Sequence, residues 1–280
     1  LLKKHKFNCL TASFNNPKSD YKIDISKIES FKVLPDNYFN LIINCATILP
    51  GKDFLDSDNL DKTYKTNILG TQNICNWIRT QSSVKKIINS STLIVNKKPW
   101  KLSISEKDES YYFGNHIVYS SSKLFQELFF KTFCLKYAIP LVQIRFSALY
   151  GKDMPRNGLI WNLIDEIKTT NQIKLNSNSK RITIDYLNVI DAARIILSSV
   201  EDKNAIGIIN GASGEEISIF NLALIIKECY KNKSDVIIGD TVDNYEDRSK
   251  VSTEKLKKII NLNTFITIKD GIKELIALPN

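Results

Sequence analysis

Short apolar runs alternate along the chain with longer segments in which apolar residues recur at helical spacing. The longer segments predict helices at residues 61–80 and 119–137. Strands that alternate with helices form a parallel sheet, which binds its ligand at the carboxyl ends of the strands. The pattern therefore predicts an α/β fold whose functional residues follow the strands. The strands themselves are predicted at residues 7–12, 21–25, 40–46, 86–91 and 140–146.

The pattern loosens after Gly151 and predicts a smaller second region. We expect a first domain at residues 1–152 and a small lobe at residues 153–280. Residues from about 183 to 211 are expected to return to the first domain. The elements predicted beyond Gly151 are three helices and two strands, at residues 159–169, 189–200, 219–230, 181–186 and 207–210.

The 280 residues carry a formal charge of +9, but the lysines are scattered rather than gathered into one basic face. We therefore expect no nucleic-acid partner. The chain has no apolar run long enough to span a bilayer and no signal-peptide pattern, so we expect a cytoplasmic protein without a membrane partner. Its five cysteines lack the paired spacing of a metal site. We expect no bound metal and interpret the cysteines as small core residues.

Tyr119 and Lys123 lie one turn apart on the same face of a predicted helix. A phenol titrates near ~10 and is a poor base at neutral pH. A lysine ammonium one turn away, with an oxidised nicotinamide nearby, favours the phenolate, which can take a proton from a hydroxyl while hydride leaves the carbon. An isolated pair at this spacing is more often a helix-surface pair, so its weight depends on the rest of the sequence.

Seven motifs, in the expected order, resemble those of the extended short-chain dehydrogenase/reductase family, the NAD-dependent epimerases and dehydratases. The resemblance runs from about Leu1 to Leu275. Tyr119-Ser-Ser-Ser-Lys123 with Glu127 is similar to the family's active-site helix, and Ile88-Asn-Ser-Ser91-Thr92 resembles the strand end that supplies a catalytic hydroxyl. The other five motifs lie at residues 42–47, 67–71, 145–151, 185–191 and 210–218.

This resemblance implies a Rossmann-type doubly wound parallel sheet with a small C-terminal substrate-binding lobe, and NAD or NADP as the cofactor. It implies catalytic roles for three residues. Ser91 would hydrogen-bond the substrate oxygen, Tyr119 would transfer the proton, and Lys123 would also bind the cofactor ribose. The implied cofactor-binding residues, besides Tyr119 and Lys123, are Asp24, Ile25, Cys45, Ala46, Thr47 and Asn67. The implied substrate-binding residues are Thr92, Ser147, Arg181 and Arg248.

Several of these residues have simpler explanations. Asp24 ends a predicted strand and can be a turn former, and Arg248 can be a surface arginine. Ser91 can cap the turn that follows its strand, which would make Thr92 the rival for its role. The choice between NAD and NADP stays open, because Ser13 and Asn15 stand where an acid would bind both ribose hydroxyls of NAD.

Departures from the family pattern reduce the number of reactions that the resemblance implies. Ala148 and Ile184 replace an asparagine and an arginine that are common in the uridine-sugar 4-epimerases. Thr92 and Leu93 occupy the positions of the acidic pair of the dehydratases, which disfavours dehydration. We expect a homodimeric enzyme that transfers hydride at a sugar carbon of a nucleotide sugar, as an epimerase or a 4-keto reductase for surface polysaccharide synthesis. The alternative is a non-catalytic, nucleotide-sensing or interaction protein of the same fold.

A glycine loop is the feature that the resemblance leads us to expect near the beginning of the chain. The family's cofactor domain begins with a strand and a glycine-rich loop that approaches the pyrophosphate. No glycine occurs before Gly51. We expect the sequence to be a fragment that lacks this strand and loop. Genuine loss of both is the alternative, and it would favour the non-catalytic protein.

Overall fold

The computed structural model describes residues 2–5, 7–49, 57–98, 100, 102–110, 116–156, 158–170, 172–230, 235–239 and 245–278. Gly51 lies outside these residues. The chain forms two compact units. The first unit contains residues 1–98, 107–145 and 196–209, and the second contains residues 99–106, 146–195 and 210–280.

The described residues form strands, α-helices and short 3-10 helices. The strands in chain order are β1 (Ala12–Ser13), β2 (Tyr21–Lys22), β3 (Leu41–Asn44), β4 (Lys86–Thr92), β5 (Leu141–Phe146), β6 (Ala148–Tyr150), β7 (Gln172–Leu175), β8 (Thr183–Asn188), β9 (Gly207–Gly211), β10 (Glu216–Ser218) and β11 (Asp235–Ile238). The α-helices are α1 (Ser57–Thr63), α2 (Gly70–Ile78), α3 (Ile117–Tyr137), α4 (Leu159–Thr170), α5 (Val189–Glu201), α6 (Ile219–Tyr230) and α7 (Ile268–Ile276). The 3-10 helices are Leu2–His5, Ile28–Val33, Leu93–Val95, Ser177–Lys180, Leu256–Lys258 and Leu262–Thr264.

The first unit is built on a four-stranded sheet with the strand order β3-β4-β5-β9. β-Branched isoleucines occupy the paired strands, where Ile42 lies opposite Ile87 and Ile43 opposite Ile88 in parallel register. Every residue of β5 is buried, as expected for a strand that is covered on both faces. The predicted α/β fold with a parallel sheet is thus confirmed.

The first two predicted strands, residues 7–12 and 21–25, were too long. Only β1 and β2 pair there, as a separate two-stranded parallel sheet. Just before β1, Thr11 is bonded to a side chain rather than to a neighbouring strand through its N–H. The carboxylate of Asp20 accepts from the backbone N–H of Thr11 at 2.7 Å and from its hydroxyl at 2.8 Å. Phe7 is exposed rather than packed in a core. The predicted strands alternate in polarity, but over most of their length they have no neighbouring strand. These residues are therefore extended without being part of a sheet.

Two helical segments of the first unit pack against its sheet. α1 and α2 are joined by a π-helical turn, Tyr64–Leu69, and together replace the predicted helix 61–80. α3 ends as predicted at Tyr137, because Ala138 adopts the left-handed conformation with φ 53° and closes the helix. Residues of α2, α3 and β4 share one buried core, which includes Ile74, Ile78, Ile87 and Phe130.

The cysteines are all free, but only two of them are core residues. Cys75 and Cys134 are buried in the core beneath α2 and α3. Cys9 and Cys229 are half-buried, and Cys45 is exposed. The expectation that the cysteines are small core residues was therefore wrong for Cys45, which lies beyond the end of β3 where the chain leaves the sheet.

The second unit contains a mixed three-stranded sheet with the order β10-β8-β6 and a parallel pair of strands, β11 and β7. Its helices α4, α6 and α7 contribute apolar residues to one buried core. Tyr150 at the end of β6 is fully buried in this core, and Gly271 of α7 lies directly against its ring. In the part of the chain that the structure describes, no helix is both long and apolar enough to cross a bilayer.

We predict that Gly271→Ala destabilises the protein. A Cβ at this position would lie 2.7 Å from the Cζ of the buried Tyr150 ring, which has no room to move aside. Overpacking of this kind costs about 1–3 kcal/mol, which exceeds the gain of about 1 kcal/mol from replacing a helical glycine by alanine. Urea unfolding should show the loss, and Gly239→Ala, where the nearest atom to a Cβ is 3.6 Å away, is the control. Equal stabilities of the two variants would contradict this packing.

Candidate active site

A cavity of about 530 Å³ in the first unit runs alongside β3, from Phe39 before the strand to Ile48 beyond it. Its walls come from the segments around β1, β2 and β3. Among the lining residues are Ser13 and Asn15, which follow the first predicted strand. The cavity brings together five of the residues that were predicted to bind the cofactor: Asp24, Ile25, Cys45, Ala46 and Thr47.

Close packing of α2 against the cavity wall fixes Ile25. A Cβ on Gly70 would lie 2.7 Å from Cδ1 and from Cγ1 of Ile25, so only glycine admits this approach. The side-chain amide of Asn73, one turn further along α2, donates to the backbone carbonyl of Ile25 at 2.9 Å. Asp24 is held from the other side, since its carboxylate accepts from the hydroxyl of Ser26 at 2.6 Å.

Two buried asparagines hold the loop that follows β3. The carboxamide oxygen of Asn44 accepts from the N–H of Ala46 at 3.2 Å. The carboxamide oxygen of Asn67, in the π-helical turn, accepts from the N–H of Ile48 at 2.7 Å. The amide nitrogen of Asn67 donates to the hydroxyl of Ser122 on α3 at 2.9 Å. Asn67 therefore links the cavity loop to the helix that carries Tyr119 and Lys123.

Lys123 is 2% exposed, and its ammonium anchors α3 to the end of β4. Its Nζ donates to the carbonyl of Ser90 and to the carboxamide oxygen of Gln126, each at 2.6 Å. Burial lowers the pKa of Lys123 to about 8, against the opposing effects of Cys45 and Glu127. An ammonium has three N–H donors, so one remains for a ligand after these two bonds.

The prediction that Tyr119 is held as a phenolate depends on an oxidised nicotinamide beside it as well as on Lys123, so it stays a prediction. Burial raises the pKa of Tyr119 to about 12. Loss of water around the phenol is the cause of this shift. Tyr119 is therefore a neutral phenol in this environment, a form that gives a proton rather than takes one.

The two candidate hydroxyls at the end of β4 differ in their bonding. The hydroxyl of Thr92 accepts from the N–H of Ile94 and thereby caps the 3-10 helix Leu93–Val95. The hydroxyl of Ser91 is buried and has no hydrogen-bond partner among the described residues. A buried hydroxyl without a partner is unusual and costly, so Ser91 is the better candidate to bind an oxygen of a ligand.

Three further buried residues lie around Lys123 or on β5: Gln126, Glu127 and Arg145. Glu127 and Arg145 stand in motifs of the family resemblance, but no role was expected for any of the three. Gln126 and Glu127 are buried three and four residues beyond Lys123, and Arg145 is buried in β5. Glu127 and Arg145 form an ion pair with an N–O distance of 2.7 Å. Two features of the sequence could have pointed to these residues. One is the pair of polar residues at i+3 and i+4 from Lys123 on the same face of α3, and the other is a charged residue inside an apolar strand.

The other three substrate-binding candidates, Ser147, Arg181 and Arg248, lie in the second unit, whereas Thr92 lies in the first. Each of these three side chains already has a partner. The hydroxyl of Ser147 donates to the buried carboxylate of Asp185 at 3.1 Å. Arg248 forms an ion pair with Glu216, whose carboxylate also accepts from the hydroxyl of Thr183 at 2.6 Å. Arg181 is exposed and also interacts within the protein.

Trp161 and Tyr245 are aromatic residues of the second unit, and aromatic rings can stack on a nucleotide base. Trp161 is 1% exposed in the core of the second unit, so it is not available to a ligand. The apolar face of α4 carries Trp161 inward, and Arg156 lies over its ring with 4.5 Å from Cζ to the ring centroid. Tyr245 is 57% exposed, and its hydroxyl bonds to Asp247.

A parallel sheet that is covered by helices is the architecture of a Rossmann-type α/β protein. The family model for the NAD dependent epimerase/dehydratase family matches residues 3–212. The chain therefore belongs to this family.

Individual relatives are distant. The chain is 23% identical over 141 residues to an ADP-L-glycero-D-manno-heptose-6-epimerase of Brachyspira hyodysenteriae, a match that covers 48% of this chain and 44% of that protein. The chain thus spans less than half the length of this curated relative.

Solved structures share the fold at low identity. The UDP-N-acetylglucosamine 4-epimerase of Bacillus cereus superposes with a TM-score of 0.79 at 18% identity, over 98% of this chain and 91% of that one. RMD from Pseudomonas aeruginosa, complexed with NADPH, superposes with a TM-score of 0.78 at 18% identity, over 92% of this chain and 87% of that one. These likenesses support the Rossmann-type fold.

We predict that Asp185 makes the protein less stable as the pH rises from 4 to 7. Burial raises the pKa of Asp185 to about 6, although Ser213, Gly214 and Ser147 donate hydrogen bonds to its carboxylate. The folded protein thus holds this proton more tightly than the unfolded chain, whose aspartates titrate near 3.8. The contribution of Asp185 is fully present below the unfolded pKa and is lost as the pH rises through the folded pKa, a change of about 3 kcal/mol.

Urea unfolding of the parent and of Asp185→Asn at pH 4, 5, 6 and 7 tests this prediction. All other titrating groups are common to the two proteins, so their difference in unfolding free energy isolates Asp185. The parent should lose about 2 kcal/mol relative to the variant between pH 4 and pH 7, since part of the full change lies below pH 4. Parallel stability curves would contradict the assignment.

Proposed function

We propose that this protein catalyses NAD- or NADP-dependent hydride transfer at a sugar carbon of a nucleotide sugar, as an epimerase or a 4-keto reductase. The observation that carries this proposal is the group of side chains at the end of β4. The hydroxyl of Ser91 has no partner among the described residues, and the carbonyl of the preceding Ser90 binds the ammonium of Lys123. Tyr119 lies one turn before Lys123 on the same helix. The family membership and the named epimerase relatives support the same reaction class.

The described residues fit the cofactor at its adenosine and ribose ends. Asp24 and Ile25 would bind the adenine side, and the loop from Cys45 to Thr47 would line the ribose and pyrophosphate. The remaining N–H of Lys123 would bind the nicotinamide ribose. When bound, NAD or NADP supplies the carbon that accepts or gives the hydride.

Tyr119 moves the proton in this proposal. Its neutral phenol can donate a proton to a carbonyl oxygen as hydride arrives at the carbon. In the oxidising direction it must become a phenolate, and the ammonium of Lys123 would stabilise that charge. Ser91 would donate a hydrogen bond to the same oxygen as its charge develops, in the manner of an oxyanion donor. Thr92, which caps the following turn, would contact the substrate.

Ser147, Arg181 and Arg248 are the further candidates for substrate binding. A guanidinium suits a diphosphate because it can bind two oxygens at once. The heptose, UDP-N-acetylglucosamine and UDP-glucuronic acid epimerases among the relatives act on nucleotide sugars according to their names. Surface polysaccharide synthesis, a homodimer and a cytoplasmic location complete the proposal.

A non-catalytic, nucleotide-sensing protein of the same fold is the alternative. A sensor would need the cavity but would not need a buried, unpartnered hydroxyl beside a buried lysine. Turnover by the purified protein decides between the two. We propose UDP-, GDP- and dTDP-sugars as test substrates, each with NAD and NADPH, and simple aldehydes and ketones as controls. Cofactor binding without conversion of any of these compounds would favour the sensor.

We predict that Tyr119→Phe lowers turnover by at least about 100-fold while the fold is kept, because only the proton path is lost. The matched control is Tyr137→Phe at the other end of α3, where the ring stacks on Phe133 and is 38% exposed. Steady-state kinetics and thermal unfolding of both variants provide the measurement. If Tyr119→Phe keeps its activity within a factor of about two of the parent, the role assigned to Tyr119 is wrong.

We predict opposite effects from the two partners of the Arg248–Glu216 ion pair. Arg248→Ala should raise the KM for a nucleotide sugar by about tenfold with little change in kcat, because it removes uniform binding of the diphosphate. Glu216→Gln should lower the KM, because it releases the guanidinium from its carboxylate partner. Arg79→Ala, which removes an exposed positive charge from the first unit, is the control. Unchanged KM values in both ion-pair variants would remove Arg248 from the substrate site.

A further inference from the structure

Arg145 and Glu127 form a buried ion pair between β5 and α3. Their side chains are each 3% exposed. The guanidinium binds both carboxylate oxygens, with Nε 2.9 Å from Oε1 and Nη2 2.7 Å from Oε2. This bidentate geometry fixes the direction of both side chains as well as their separation.

The same guanidinium holds two further segments. Its Nη1 donates to the carboxamide oxygen of Asn96 at 2.6 Å, and its Nη2 donates to the hydroxyl of Ser110 at 2.8 Å. Asn96 follows the 3-10 helix that continues from Ser91 and Thr92, and it bridges to Ser110. Arg145 therefore joins the segment that follows Ser91 to the helix that carries Tyr119 and Lys123.

Stability alone gives a weak reason for this pair. Moving two charges out of water is costly, and replacing a buried ion pair by apolar residues of similar volume is often neutral or stabilising. What apolar residues cannot supply is a fixed orientation of three segments and a negative charge one turn beyond Lys123.

We propose that Arg145 and Glu127 are positioning residues for the reacting side chains, with Glu127 also keeping the ammonium of Lys123 charged. This inference rests on the proposed function for its catalytic meaning. Its structural content, an effect of Glu127 on the charge of Lys123, stands without any turnover.

The charged and titratable groups around Lys123 come from three elements. Glu127 lies on the same helix, Cys45 lies in the loop beyond β3, and Arg145 of β5 is paired with Glu127. Burial lowers the pKa of Lys123, and Cys45 and Glu127 oppose that effect. Glu127 is the carboxylate of the two, and the guanidinium of Arg145 holds it in place. Removing Glu127 while Arg145 stays should therefore lower the pKa of Lys123 further.

The test is an NMR titration of the Lys123 side chain in protein labelled with ¹³C- and ¹⁵N-lysine, with Lys123→Arg used to assign its signal. In Glu127→Gln we expect the pKa of Lys123 to fall by about one pH unit. In the double variant Glu127→Gln with Arg145→Met, both charges are gone, and the pKa should return toward the parent value. Glu254→Gln, which breaks an exposed ion pair with Lys257, is the control and should leave Lys123 unchanged.

The outcomes separate the inference from the proposed function. An unchanged pKa of Lys123 in folded Glu127→Gln overturns the inference, whatever the enzyme does. If Glu127→Gln does not fold, Arg145→Met decides, because it leaves the carboxylate near Lys123 without its cation. A raised pKa of Lys123 in folded Arg145→Met supports the inference, and an unchanged pKa or an unfolded Arg145→Met overturns it. Where turnover is found, the high-pH limb of kcat against pH should follow the NMR pKa, because the ammonium is lost as the pH rises through it. Absence of turnover with the expected titration counts against the proposed function only.

Discussion

The buried ammonium of Lys123 is the constraint on which the candidate site depends. A lysine in this position has lost its water, and it is tolerated because the carbonyl of Ser90 and the carboxamide of Gln126 replace two of the lost hydrogen bonds. That replacement is possible only when α3 lies against the end of β4. The same docking sets Tyr119 and Ser91 on neighbouring elements, so the position of the helix and the composition of the site follow from one interaction.

Further polar contacts around Lys123 hold α3 in the same position. Asn67 connects α3 to the loop beyond β3, and the Arg145–Glu127 pair connects α3 to β5. Buried polar networks are costly unless every member has a partner. Among the described residues, the hydroxyl of Ser91 and Nε2 of Gln126 have no partner, whereas the hydroxyl of Thr92 caps the following turn. This difference is the reason why we propose Ser91 rather than Thr92 as the donor to the substrate oxygen.

The sequence predicted the elements of the site better than their electrostatics. Alternating apolar runs located the sheet and α3, and the four-residue spacing put Tyr119 and Lys123 on one face. The pKa of Tyr119 could not be predicted in the same way, because it depends on how deeply the fold buries the phenol. The same limit applies to Trp161, whose ring is buried in the core of the second unit, and to the strand expected at residues 7–12, which lacks a neighbour over most of its length.

Hydride transfer is the central claim, and the fate of a deuterium atom tests it most directly. Nucleotide sugars deuterated at C4 would be incubated with the protein and NAD or NADP, and the sugar, the cofactor and the solvent would be analysed by mass spectrometry. Our account predicts that the deuterium is found on the sugar product or on the nicotinamide ring, and never in water, because it moves as hydride. Conversion accompanied by loss of the deuterium to water, or no conversion of any nucleotide sugar, would contradict it.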